Sequence, residues 1–158
     1  MLTDDSKAVQ LIKHVSKLTV ETAQKGQQLS KIRRDNEETA VAAISASIVS
    51  LNNSINVGNK MDEMQIIETS YTILENYWML KIDEILLCFN MIKNGKFGKV
   101  YGLDQPKIMH SLHIYDTELK ANYYKNMEPL KQNRVREKDK KNVHIALSID
   151  DMKKLIKK

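Results

Sequence analysis

The most constraining feature of this sequence is a run of apolar residues spaced three or four positions apart between residues 36 and 55. Steps of three, four, three and four place these residues on one face of an α-helix over about two heptads. Alanines lie beside them, and Asn and Gly residues follow between positions 52 and 59, as is typical of the end of a helix. We call this set of five the seam: Val41, Ile44, Ile48, Leu51 and Ile55.

Apolar residues at similar spacing predict helices over much of the remaining chain. Capping residues mark some of the boundaries, such as Asp104 with Pro106 in the first turn of a helix. Only 5 Gly and 2 Pro residues are present, whereas β-sandwiches and barrels use many turns that are rich in both. The sequence therefore predicts an all-α fold with helices over residues 6–24, 36–55, 62–77, 83–94 and 104–127, followed by a short basic helix over residues 148–156.

These helices are predicted to form a small helical bundle with three parts. An N-terminal helical hairpin covers residues 1–60, a helical core domain covers residues 61–128, and a basic linker with a short terminal helix covers residues 129–158. Pro129 is expected to end or kink the helix that precedes it. The helix that begins near Asp83 is apolar on nearly all sides, which is typical of the central helix of a bundle.

Two further patterns predict core positions. Cys88 lies between Leu87 and Phe89 on the most apolar helix, and we expect an inert core thiol because the sequence nominates no activating base. In the helix over residues 62–77, one stripe of residues at helical spacing is predicted to face the core: Met64, Ile67, Tyr71 and Leu74.

The charges are distributed unevenly along the chain. Residues 1–90 contain 9 Lys and Arg against 12 Asp and Glu, a net charge of −3, whereas residues 91–158 contain 16 against 8, a net charge of +8. The C-terminal half is thus expected to attract an acidic partner. No apolar run approaches the roughly 20 residues of a membrane span. With its single cysteine, the chain is expected to be a cytoplasmic protein that needs no disulfide and contacts no membrane.

A glycine-rich stretch over residues 95–105 follows the apolar helix. It resembles the phosphate loop of protein kinases and the aromatic strand of RNA-recognition motifs, but the flanking helices and the short remaining chain argue against both folds. Backbone amides together with Lys93, Lys96 and Lys99 are suited to hold phosphates. The alternative is a simple connection between helices, in which Phe97 and Tyr101 tuck into the core and the lysines are only solvated.

The sequence offers little for catalysis or metal binding. His110 and His113 have a spacing that can share one metal ion, but no second pair of ligands accompanies them. Acidic pairs such as those at positions 62–63 and 83–84 lie at predicted helix starts, where the helix dipole favours them. We therefore expect no enzyme activity, no cofactor and no metal.

The seam allows two interpretations. It can pack against the first helix in an antiparallel hairpin, or it can form a narrow surface for a partner helix or for self-association. The second interpretation makes the five seam residues a partner-binding site.

Residues 61–119 resemble a family of small helical proteins from phages, conjugative elements and similar mobile DNA. The resemblance follows the order of Met64–Glu68, Ile73–Tyr77, Leu80–Ile85, Leu87–Phe89, Lys93–Tyr101, Leu103–Asp104 and Tyr115–Asp116. Its most specific part is the Cys88-Phe89 pair together with the stretch from Lys93 to Tyr101. The family is found among replication genes, and its helical plan is similar to that of phage helicase loaders. Its members have no assigned catalytic residues, so the resemblance implies none here.

The resemblance and the charge distribution together favour a non-enzymatic accessory protein of phage or mobile-element DNA replication, located in the host cytoplasm. A protein partner such as a replicative helicase would dock on the helical core domain over residues 61–128. DNA phosphates would be bound by six basic residues: Lys93, Lys96, Lys99, Lys131, Arg134 and Arg136. The alternative function is a protein-only helical interaction module.

Overall fold

The computed structural model describes the backbone of residues 2–156 and the side chains of residues 6–140. The described backbone is built of helices: α1 (Leu2–Ser16), α2 (Val20–Ala23), α3 (Leu29–Asp35), α4 (Glu37–Ser54), α5 (Glu63–Asn76), α6 (Ile82–Lys93), α7 (Gln105–Ile114), a π-helical segment (Tyr115–Lys120) and α8 (Ala121–Ile156). In place of strands, residues 2–156 contain only two isolated β-bridges. The predicted all-α helical bundle is confirmed.

The chain divides into two compact units, of which the first ends at Leu119 and the second begins at Lys120. The first unit contains α1 to α7, and the second contains α8. A continuous cluster of buried side chains extends from Ala23 to Tyr115 and crosses the boundary predicted at residue 60. Residues on both sides of that position therefore share one hydrophobic core.

The seam lies inside this core. All five of its side chains are buried, and α4 packs against both α5 and α6. The prediction that Val41, Ile44, Ile48, Leu51 and Ile55 bind a partner is therefore wrong, because the folded chain itself covers them. Packing within the chain is the correct interpretation, although α4 contacts α3, α5 and α6 rather than pairing with the first helix in an isolated hairpin.

Helix α5 is rotated relative to the predicted stripe. It begins as expected after Asp62, whose carboxylate accepts a hydrogen bond from the backbone N–H of Gln65 at 2.9 Å. Of the predicted stripe, Leu74 is buried and Ile67 is half-buried, but Met64 and Tyr71 are 64% and 45% exposed. Small polar residues face the core in their place, and the Ser70 hydroxyl lies 2.8 Å from the hydroxyl of Ser45 on α4. Ile66, Ile73 and Leu74 of α5 are buried as well, so the inner face of this helix carries both apolar and small polar side chains.

Helix α6 occupies the central place that its composition predicts. It packs against α1, α2, α4 and α7, and most of its apolar side chains are buried. Its second acidic residue, Glu84, is also fully buried. The carboxylate accepts hydrogen bonds from the Lys81 backbone N–H at 2.8 Å, from Gln24 Nε2 at 2.7 Å and from the Tyr115 hydroxyl at 3.2 Å. Glu84 thus caps its own helix and links it to two distant segments of the chain.

Other boundaries differ from the predicted ones. The first predicted helix is interrupted, because Thr19 caps a separate short helix, α2, and the seven-residue α3 was not predicted. Helix α8 continues through Pro129, so this residue does not end the helix. The side chains proposed for a terminal helix over residues 148–156 lie outside the described residues, although the backbone there belongs to α8 up to Ile156.

No helix within the described part of the chain combines the length and the apolar character that crossing a membrane requires.

Candidate functional site

The end of α6 leads into a loop that carries three of the predicted phosphate-binding lysines. We call residues 93–101 the basic loop. Gly95 and Gly98 have φ values of 72° and 90°, which residues other than glycine rarely adopt. The backbone N–H of Lys96 donates to Met91 O at 2.9 Å, and that of Gly98 donates to Gly95 O at 3.1 Å. The glycines therefore allow a tight turn that its own hydrogen bonds hold.

The basic loop is also attached to the core on its inner side. Phe97 and Val100 are half-buried and pack against the core cluster. The ammonium group of Lys107 on α7 donates a hydrogen bond to the carbonyl oxygen of Phe97 at 2.8 Å. Just after the loop, the Leu103 N–H donates to Asn59 O at 3.0 Å. These contacts hold the middle of the loop and the segment that follows it against the rest of the first unit.

The three lysines of the basic loop face outward. Lys93, Lys96 and Lys99 are exposed, and none of them forms an ion pair with any side chain of residues 6–140. Three ammonium groups within seven residues form a local concentration of positive charge. Because no carboxylate in the described part of the chain neutralises them, they remain available to an anion from outside.

The aromatic residues of the basic loop behave differently from each other. Phe97 packs against the core, as the alternative interpretation of the loop expects. Tyr101 does not, since 80% of its surface is exposed. The expectation under this alternative that Tyr101 enters the core is wrong, and the buried side chain of this segment is that of Leu103.

The other predicted phosphate-binding residues lie in the second compact unit. Lys131, Arg134 and Arg136 are all exposed on α8. At 3.6 residues per turn, Lys131 and Arg134 share one side of the helix, whereas Arg136 lies about 140° from Lys131. The six predicted residues therefore form two separate sets, one in each unit, and the set on α8 spreads around its helix.

The structure gives no support to a reactive centre among the residues that the sequence suggested. His110 and His113 are both exposed. Within the described residues, no group of three or more His, Cys, Asp and Glu side chains is arranged to hold a metal ion. Cys88 is fully buried, and this burial raises the pKa of its thiol. The predicted core position of Cys88 is confirmed.

Two concave surfaces of the first unit are not predicted by any pattern in the sequence. An apolar groove of about 490 Å³ lies between α1, α4 and α6, and Lys93 stands at its edge. A polar cavity of about 530 Å³ is lined by Ser30, Arg33, Arg34, Glu37, Glu75 and Trp78. Arg33 is bound there by Glu75 at 2.7 Å and by Glu37 at 3.2 Å. No local motif marks either surface, since each is assembled from segments far apart in the sequence.

A third surface is the outer face of α5. Met64 and Tyr71 are seven residues apart and lie on nearly the same side of the helix, with Glu68 and Glu75 exposed between and beyond them. Trp78 follows the end of the helix and is also exposed. The sequence shows this seven-residue spacing, but the prediction that Met64 and Tyr71 face the core is wrong, whereas Leu74 of the same stripe is buried.

No family model, no curated protein and no solved structure matches the chain.

Proposed function

We propose that this chain is an accessory binding protein of nucleic acid metabolism, which contacts phosphates through the basic loop. The observation that carries the proposal is the group of Lys93, Lys96 and Lys99, which are exposed and form no ion pairs with the described side chains. Lysine ammonium groups bind phosphate oxygens as point charges and recognise no base sequence. The affinity for nucleic acid is therefore independent of its base sequence and decreases strongly as the salt concentration increases.

The rest of the C-terminal half contributes attraction over a longer range. Residues 91–158 have a net charge of +8, against −3 for residues 1–90. Such an asymmetry attracts a polyanion toward one half of the chain and accelerates association at low ionic strength. The exposed Lys131, Arg134 and Arg136 on α8 are part of this charge.

The finer form of the proposal is a non-enzymatic role in the DNA replication of phages or mobile elements, with a replicative helicase as protein partner. Its support is the resemblance of residues 61–119 to the family described above. The seam is buried and unavailable to such a partner. The outer face of α5, with Met64, Tyr71 and the nearby Trp78, is the exposed apolar surface best suited to it.

The test is a charge reversal with a matched control. The triple variant Lys93→Glu/Lys96→Glu/Lys99→Glu should bind a short DNA at low salt at least tenfold more weakly than the unmodified chain. The triple variant Lys17→Glu/Lys25→Glu/Lys31→Glu makes the same change in net charge at exposed lysines elsewhere and should lose much less. Equal losses in both variants, or no binding by the unmodified chain, would contradict the proposal.

The protein-only interaction module is a second candidate, favoured by the apolar outer face of α5. Under this function the unmodified chain binds no DNA at low salt, but it associates with a protein through Met64 and Tyr71. Replacing both by Glu should then dissociate a complex, measured by sedimentation, while the helical content stays unchanged because both side chains are exposed. An intact complex in this variant would exclude the face as the contact surface.

A further inference from the structure

We propose that the basic loop binds single-stranded nucleic acid in preference to duplex, with the ring of Tyr101 as the surface on which one base stacks. This inference rests on the proposed function and adds to it the class of nucleic acid. It depends on a different residue from the lysines, so that the two can be tested separately.

The first observation is the exposure of Tyr101. Its side chain is 80% exposed, more than any other large hydrophobic residue of the described side chains. Within residues 6–140 its ring and hydroxyl have no hydrogen bond or ring contact. Exposing an aromatic ring to water is less favourable than burying it, and the ring of Tyr101 does not contribute to the packing of the core. Most of the Tyr101 side chain is therefore accessible to a ligand.

The second observation is that the backbone under Tyr101 is held in place. Leu103, two residues later, is buried, and its N–H donates to Asn59 O at 3.0 Å. Between them, Gly102 lies so close to Asn59 that an added Cβ would be 3.3 Å from the Asn59 Cβ. The exposed ring thus projects from a fixed segment, so that little conformational entropy is lost when a base stacks on it.

The third observation is the position of the ring beside the lysines. Lys99 precedes Tyr101 by two residues, a separation of at most about 7 Å along the backbone. Its flexible side chain reaches the phosphate of a nucleotide whose base lies on the ring. Lys96 and Lys93 continue the positive charge along the same loop. A positive track beside an aromatic ring is the arrangement by which proteins bind single strands without sequence preference.

The strand preference follows from the geometry of stacking. In a duplex, both faces of each base are covered by neighbouring base pairs, so an external ring meets only the backbone and the groove edges. In a single strand the bases are free to leave their neighbours and to stack on an aromatic side chain, whichever base they carry. The lysines attract both forms through phosphate, and Tyr101 distinguishes between them.

The experiment measures fluorescence anisotropy of the full chain with a labelled DNA strand of mixed sequence, and with the same strand annealed to its complement. The unmodified chain should bind the single strand about tenfold more tightly than the duplex. Tyr101→Ser should remove this preference by weakening single-strand binding alone, and Tyr101→Phe should retain it because the ring remains. Met79→Ser, which changes an apolar side chain that is 61% exposed and lies outside the basic loop, is the control and should bind like the unmodified chain.

Equal affinity of the unmodified chain for both probes, or unchanged single-strand binding in Tyr101→Ser, would overturn the stacking role. The charge reversal of Lys93, Lys96 and Lys99 separates this failure from that of the proposed function. If the reversal abolishes binding while Tyr101→Ser has no effect, phosphate binding stands and stacking is refuted. If neither probe binds the unmodified chain, both proposals are refuted.

Discussion

Asn52 shows how a single buried amide joins two helices. It lies near the end of α4 and is buried. Its side-chain amide donates to Met61 O at 3.0 Å, and its side-chain oxygen accepts from the Met61 N–H at 3.1 Å. Met61 lies just before the Asp62 cap of α5, so the two bonds bring the start of α5 to α4. Both backbone groups of Met61 would otherwise need other partners in the protein interior.

Replacing this amide should therefore be costly. Asn52→Ala leaves the N–H and C=O groups of Met61 without their partner, which lowers the free energy of unfolding by about 1–3 kcal/mol. Asn53→Ala, at the neighbouring exposed position of the same helix, should change it by less than about 0.5 kcal/mol. Urea unfolding followed by circular dichroism measures both values. Similar stability of the two variants would show that the bonds to Met61 are not needed.

We expect Cys88 to make the stability of the fold decrease at alkaline pH. Burial raises the pKa of this thiol above its ordinary value of 9.0 in the folded chain. Its contribution to stability is complete below pH 9.0 and is lost as the pH rises above it, because only the unfolded chain then readily releases the thiol proton. Thermal unfolding between pH 8 and pH 10 should show a smaller decrease in melting temperature for Cys88→Ala than for the unmodified chain. Parallel decreases in both would contradict this role.

Among the helices, the ends were easier to predict than the buried faces. Asp104 was expected to cap α7, and its carboxylate accepts a hydrogen bond from the Lys107 N–H at 2.8 Å, with Pro106 in the first turn. Such a cap depends on residues within one turn, so a short sequence contains all the information. The buried face of α5 depends instead on α4, and no local pattern shows that the small side chain of Ser70 faces Ser45.

The hydrogen bond that caps α7 should make a measurable contribution to the free energy of unfolding. Asp104→Ala should lower the free energy of unfolding by about 0.5–2 kcal/mol, because the N–H of Lys107 loses its acceptor. Asp104→Asn keeps an acceptor oxygen and should retain most of the stability. Urea unfolding of the two variants gives the comparison. If the Ala and Asn variants were equally stable, the hydrogen bond would not stabilise the helix.

For the whole molecule, the helical class and the central place of α6 follow from composition and periodicity, but the extent of the first unit does not. Glu84 illustrates the reason, because its carboxylate connects Gln24 with Tyr115 across most of the unit. A sequence shows that an acidic residue suits a helix start, but not that distant donors will surround it. The basic loop was located correctly from its glycines and lysines, whereas the exposure of Tyr101 depends on which neighbour is buried.

The division after Leu119 predicts that the first unit folds alone. The buried cluster ends at Tyr115, so a chain that ends at Leu119 retains every buried side chain of that cluster. It should unfold in one cooperative thermal transition, within a few degrees of the corresponding transition of the full chain. Differential scanning calorimetry measures this. A broad transition or none would show that the first unit needs residues from 120 onward.

The same truncation separates local phosphate contacts from the wider charge of the chain. Residues 120–158 contain 12 Lys and Arg against 5 Asp and Glu, so their removal deletes a net charge of +7 but leaves the basic loop intact. If the three loop lysines make the remaining phosphate contacts, the logarithm of the affinity for a single strand should fall with the logarithm of salt with a slope of about −2. The full chain should show a steeper slope, because Lys131, Arg134, Arg136 and other basic residues add contacts. Equal slopes would mean that α8 contributes no phosphate contact, and binding would then depend on the basic loop alone.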